Sequence, residues 1–165
     1  MDKLWAPWRM EYIKNSDKED GCIFCNRLNA DEDKQNLILY RGKSCFIIMN
    51  KYPYNNGHLM IVPNRHVGNF LELTDKEHLE LDHLLKLSIK ALQIAMQPQG
   101  FNVGMNLGRV AGAGIDDHLH YHIVPRWNGD TNFMPVIGEN KVISESLAQS
   151  YEKIRQAIET IGEQS

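Results

Sequence analysis

The segment Asp117–Trp127, "DHLHYHIVPRW", sets His118, His120 and His122 at every second residue, three of the seven histidines in a chain of 165. A period of two is the period of a strand. It predicts one row of imidazoles on one face and Leu119, Tyr121 and Ile123 on the other. Same-face neighbours on a strand lie about 6.5–7 Å apart. One phosphate can touch two such side chains, whereas three in a nearly straight row converge poorly on a tetrahedral metal. The bland alternative, three solvated histidines on a wet sheet face, fits a pattern this regular badly. The preceding loop, "NLGRVAGAGIDD" (106–117), carries Gly108, Gly112 and Gly114, where backbone N–H groups can approach an anion. Histidines and loop together favour phosphate chemistry. A neutral imidazole can attack phosphorus if an acceptor, often a backbone carbonyl, holds its other nitrogen as N–H.

Outward from this segment the chain reads as a small α+β domain. "NLILYRG" (36–42) and "SCFIIMN" (44–50) are β-rich runs that form a hairpin around Gly42 and Lys43. "KYPYNNG" (51–57) is a turn, and "HLMIVP" (58–63) is a third strand closed by Pro63. At Thr74 the period changes: "TDKE" is a capping box with Glu77 as its N3 residue. Leu81, Leu84, Leu85, Ser88, Leu92 and Ala95 then share a helical face that Pro98 and Gly100 terminate. "FNVGMNLG" (101–108) and "HLHYHIV" add two strands. Ile143, Leu147, Tyr151, Ile154 and Ile158 form a C-terminal helical stripe. The expected architecture is a roughly five-stranded antiparallel sheet with one long helix and a C-terminal helix. The polar stretches 15–20 and 29–36 read as exposed loops. The whole chain, 1–165, is expected to be one domain: an N-terminal segment (1–36), a core (37–127) and a C-terminal extension with its helix (128–165).

The chain is 42% hydrophobic and 24% charged with a net charge of −3, and its Lys and Arg residues are scattered. Neither a nucleic-acid groove nor an anionic membrane surface is expected as a partner. No apolar run approaches the ~20 residues of a membrane span, and "MDKLWAPWRMEYIK" lacks the apolar centre of a signal peptide. A cytoplasmic location is the expectation. The three cysteines are too few for a disulfide scaffold. Cys22 and Cys25 form a C-x-x-C pair that suits a zinc knuckle; a thioredoxin-like redox pair would need a strand before it, and "SDKEDG" is a poor one. Cys45, in an apolar strand, reads as an inert core thiol.

"HLHYHIV" resembles the signature of the histidine-triad (HIT) family of nucleotide hydrolases and transferases. "CIFC", "NKYPYNNGHLMIVPNRH", "GFNVGMNLG" and "HLHYHIVPRW" occur in that family's order, so the resemblance spans most of the chain. The segments "LWAPWRMEY" and "GDTNFMPVIG" look most like the bacterial branch that includes diadenosine tetraphosphate phosphorylases. The resemblance implies that His120 is the nucleophile on an α-phosphate, through a nucleotidyl-histidine, and that His122 contacts the phosphate or bridging oxygen. It places Asn50 at the ribose hydroxyls and Asn106 near the nucleophile and phosphate. Many relatives have Gln, Ser or Thr just before the triad, where this chain has Ala113, Gly114 and Ile115. Phosphate binding would then rest on backbone N–H groups of Gly112, Ala113 and Gly114. The resemblance also implies that His66 and His118 complete a structural Zn2+ site with Cys22 and Cys25, that no organic cofactor is needed, and that the chain forms at least a homodimer. His58 reads as structural, and His78 and His83 as solvated helix residues. Trp127 is the best base-stacking candidate among Trp5, Trp8 and Trp127.

The leading expectation is an enzyme acting on dinucleoside polyphosphates by phosphorolysis or hydrolysis. Hydrolysis of a nucleoside phosphoramidate or adenylate, a non-catalytic nucleotide sensor, and a zinc hydrolase using all three histidines are the alternatives.

Overall fold

A computed structural model describes residues 20–130 and 145–163. Trp5, Trp8, most of "GDTNFMPVIG" and Ile143 lie outside the described residues. The elements are α1 (Ile23–Asn29), α2 (Asp33–Asn36), β1 (Ile38–Arg41), β2 (Cys45–Met49), β3 (Leu59–Pro63), α3 (Asp75–Met96), β4 (Gly100–Met105), β5 (Tyr121–Arg126) and α4 (Leu147–Glu163). The five strands form one antiparallel sheet in the order β1-β2-β3-β5-β4. The α+β architecture read from the sequence is thereby met. Two short helices, α1 and α2, occupy the N-terminal stretch that carries no helical period; at seven and four residues they are too short to show one.

β2 and β3 are buried along their whole length because both faces of the sheet are covered. Cys45, Ile47 and Met49 alternate toward one core, where Leu81, Leu84 and Leu92 of α3 and Tyr151, Ile154 and Ile158 of α4 meet them. Both helical stripes are thus spent on one sheet face. Phe46 and Ile48 point the other way, toward Met60, Val62 and Phe24 of α1. Phe24 is only 1% exposed, so a single aromatic fixes α1 on the sheet. The turn before β3 needs glycine at 57: φ is +71°, and a Cβ there would lie 2.5 Å from the Met96 sulfur.

The capping box forms as expected. Glu77 N–H donates to Thr74 Oγ1 at 3.3 Å, and Thr74 N–H donates to Glu77 Oε2 at 2.8 Å. Glu77 also receives Arg65 Nε at 3.1 Å and Nη2 at 3.0 Å, which ties the start of α3 to the chain leaving β3. These donors, Arg65 foremost, hold the Glu77 carboxyl down at about 2, below its ordinary 4.5. A depressed folded-state value means the stabilisation is complete above about pH 4.5 and drains away as pH falls toward 2. The difference corresponds to about 3 kcal/mol, reduced to roughly 2 because Arg65 is half exposed. Urea unfolding of Glu77→Gln is expected to show a loss of about 2 kcal/mol at pH 7 that shrinks steadily between pH 5 and pH 2. A gap independent of pH would contradict the assignment.

One expectation about the strands is corrected. His118 and His120 precede β5, which begins at Tyr121. The register pairs Ile61 with Tyr121, so the next ladder position on β3 is Pro63, which has no N–H to donate. The segment stays extended without a ladder. Leu119 N–H turns to the Val67 carbonyl at 2.8 Å, and the Pro63 carbonyl takes His118 Nε2 at 2.8 Å.

Candidate active site

The alternation survives the loss of the ladder. Leu119 and Ile123 enter the helix-covered core, while His118 and His120 both contact the Phe24 ring, at centroid distances of 5.4 and 5.1 Å. His120 and His122 meet edge-on at 4.8 Å. Beside them opens a cleft continuous with solvent. His120, His122 and Met60 line it, with Asn50 from the end of β2 and Asn106, Gly112 and Gly114 from the loop after β4.

Backbone partners fix the proton positions. His120 Nδ1 lies 2.9 Å from the His118 carbonyl, which can only accept. Nδ1 therefore carries the hydrogen, and Nε2 keeps the lone pair. Burial, opposed by that hydrogen bond, lowers the His120 pKa below its ordinary 6.5, so the ring is neutral near pH 7. A buried, neutral imidazole with one nitrogen locked is a competent nucleophile.

His122 is set by a residue that sequence reading assigned only a structural part. His58, 1% exposed, accepts the Tyr54 N–H at its Nδ1 (3.1 Å) and so bears its hydrogen on Nε2. That Nε2–H lies 2.9 Å from His122 Nδ1, which must accept, leaving His122 to carry its own hydrogen on Nε2. His120, without a ring proton at Nε2, thus stands beside a histidine with one. Antiparallel pairing of Met60 with His122 is what brings β3 and the residues before it into the site. Such a pairing leaves no local sequence signal.

The loop residues behave less uniformly than expected. Asn106 Nδ2 donates to the Gly112 carbonyl at 3.3 Å, which fixes it at the cleft. Ala113 is turned inward at 9% exposure, and its N–H is spent on the Gly108 carbonyl at 3.3 Å. It does not line the cleft, so the expectation of a phosphate contact from Ala113 is not supported. The Gly112 N–H is likewise bonded to the Arg109 carbonyl at 2.9 Å. Gly114 lines the cleft, and its N–H makes no backbone hydrogen bond among the described residues. Asn50 closes a turn by accepting the Tyr52 N–H at 2.9 Å and sits 3.3 Å from His58 Nδ1. Trp127 lines a different surface pocket, with Met96 and Lys153, so it is not a stacking platform for this cleft.

Next to His120, donor atoms of Cys22, Cys25, His66 and His118 all lie within 4.8 Å of one another. A tetrahedral zinc with bonds of about 2.0–2.3 Å needs edges of roughly 3.3–3.8 Å. Cys22 Sγ–His118 Nδ1 at 3.2 Å, Cys25 Sγ–His66 Nδ1 at 3.5 Å and Cys25 Sγ–His118 Nδ1 at 3.6 Å nearly meet that already. The Pro63 carbonyl holds the His118 hydrogen on Nε2, so Nδ1 faces the sulfurs with its lone pair. Asp117 Oδ2, 3.7 Å from His66 Nε2, stands behind the second imidazole. Two thiols and two oriented imidazoles fit zinc. Burial, with Cys22 and Asp117 adding to it, pushes the Cys25 thiol up to about 11, so an incoming metal displaces a proton. By contrast, burial pushes Cys45 to about 12 far from any such cluster, and it is core.

Among known protein families, the HIT domain matches residues 31–129. The chain belongs to the HIT family. It is 41% identical over 155 residues to the AP-4-A phosphorylase of Mycobacterium tuberculosis, covering 89% of this chain and 79% of that protein. Among solved HIT structures, a hypothetical histidine triad nucleotide-binding protein of Sulfolobus tokodaii superimposes with a TM-score of 0.69 at 30% identity, over 85% of this chain and 93% of its own. A Zn-bound histidine triad family protein of Mycobacterium smegmatis does so with a TM-score of 0.71 at 20% identity, over 88% and 98%. The HIT family comprises nucleotide-processing proteins.

Proposed function

We propose that this protein cleaves dinucleoside polyphosphates at an α-phosphate through a nucleotidyl-histidine on His120. The observation that carries the reading is the locked tautomer of His120, neutral and lining the cleft. Its Nε2 attacks the α-phosphorus in line, and the bond to the bridging oxygen breaks. The leaving nucleoside polyphosphate is stabilised by the Nε2–H of His122, which His58 orients. The acceptor then attacks the phosphorus, the P–N bond breaks, and its electron pair returns to His120 Nε2. Asn106 and the Gly114 N–H flank the phosphate, and Asn50 faces the ribose. Cys22, Cys25, His66 and His118 would hold a zinc ion whose part would be structural, tying α1 to the chain beside His120. That the M. tuberculosis relative is an AP-4-A phosphorylase supports inorganic phosphate rather than water as the acceptor here.

Incubation with diadenosine tetraphosphate, with and without inorganic phosphate, tests this. ADP and ATP formed only in the presence of phosphate is the expected result. AMP and ATP formed equally in its absence would make the protein a hydrolase. No product under either condition would leave a nucleotide sensor.

A further inference from the structure

Among the described residues the cleft is lined by two cations and by no carboxylate: Arg27 comes from α1, and Lys51 follows β2. This local balance runs against the chain's net charge of −3. Among the described residues, Arg41, Arg65, Arg109, Arg126 and Arg155 are each ion-paired with a carboxylate. Arg27 is the one described arginine with no such partner, and it is the one in the cleft. The Lys51 ammonium, also without a carboxylate among the described residues, sits 6.0 Å from the Tyr52 ring.

In-line attack sends the leaving group away from the nucleophile. His120 is on the floor at 6% exposure, so the departing chain runs toward the rim, where Lys51 is exposed and Arg27 is half-buried. The helix that carries Arg27 is well anchored. Arg27 lies one helical turn beyond Ile23, three residues beyond buried Phe24 and two beyond Cys25 of the metal cluster. A planar guanidinium carried on a helix anchored in this way suits bidentate contact with phosphate oxygens.

We propose that Arg27 and Lys51 grip the phosphates beyond the attacked one, so that the cleft selects nucleotides carrying a polyphosphate chain over those with a single phosphate. This rests on the attack geometry given under the proposed function. It identifies the substrate class by chain charge rather than by base.

The test is equilibrium binding of diadenosine tetraphosphate and AMP to the full chain in a His120→Ala background, which removes turnover. Arg27→Gln combined with Lys51→Gln is expected to weaken tetraphosphate binding about tenfold, as two charge-assisted contacts at a partly solvated rim imply, and AMP binding by less than about twofold. Added salt should weaken tetraphosphate binding more steeply with both cations present than without them. Equal weakening for both ligands would assign the residues to the nucleoside or to the fold, and would overturn the proposal. Unchanged tetraphosphate binding, or none at all before the cations are removed, would overturn it too. Wild-type product formation is read separately, so failure of catalysis strikes the enzymatic reading and leaves the chain-length result standing on its own.

Discussion

Replacing His120 by alanine is expected to lower turnover of diadenosine tetraphosphate by at least about 10⁴-fold while the protein keeps its fold and its zinc. The direction follows from the division of work among the three histidines. His118 is committed through Nε2–H to the Pro63 carbonyl and through Nδ1 to the cysteine sulfurs. His122 accepts at Nδ1 from His58 and has a hydrogen, not a lone pair, on Nε2. His120 alone in the row combines a locked N–H with an open lone pair at the cleft. Removing it should leave no substitute nucleophile. Metal analysis and melting of the variant separate this from a zinc hydrolase: if all three histidines held a catalytic metal, zinc would leave with His120. A nucleotidyl adduct trapped on wild type and absent from the variant would identify the bond. An adduct that persists in the variant would refute the assignment.

The division of work was only partly legible in the sequence. The period of two gave the common face, and that face is real because Leu119 and Ile123 are pulled into the opposite core. The same period over-extended β5, since nothing local announces that the ladder position opposite residue 119 is a proline. The helical stripe of α3 and its Thr74–Glu77 box were readable because both are local. His58 was under-read for the opposite reason: its role comes from strand pairing across 64 residues. Arg27 looked like one scattered charge among many. Only the ion pairs of the other arginines and the position of α1 against Phe46 and Met60 set it apart. Ala113 shows the reverse error: a small residue in a glycine-rich loop promised a backbone donor, but the short helix at Arg109–Ala111 closes the loop on itself and consumes that N–H.

Cys22→Ser is expected to release the zinc and to lower the melting temperature by about 8–16 °C. Structural zinc contributes roughly 12 kcal/mol where it organises a whole small fold. If a third of that, about 4 kcal/mol, is expressed here, each kcal/mol shifts melting by about 2–4 °C for a chain of this size. The effect should reach the nucleophile through packing rather than through chemistry. Cys22 is the N-cap of α1, and Phe24, two residues on, rests against both His118 and His120. With Cys22 unable to ligate, α1 loses part of its tether, and His118 loses the nearer of the two sulfurs that face its Nδ1. The carbonyl of His118 then positions His120 Nδ1 less firmly, since that hydrogen bond depends on a segment with no strand ladder to hold it. Activity should therefore fall with a rise in KM and a partial loss of kcat, far short of the loss in His120→Ala. Zinc content by atomic emission, read beside the melting curve, gives the outcome independently of turnover. A variant that kept its zinc, or that lost it without any change in melting, would show that the cluster does not tie α1 to the site.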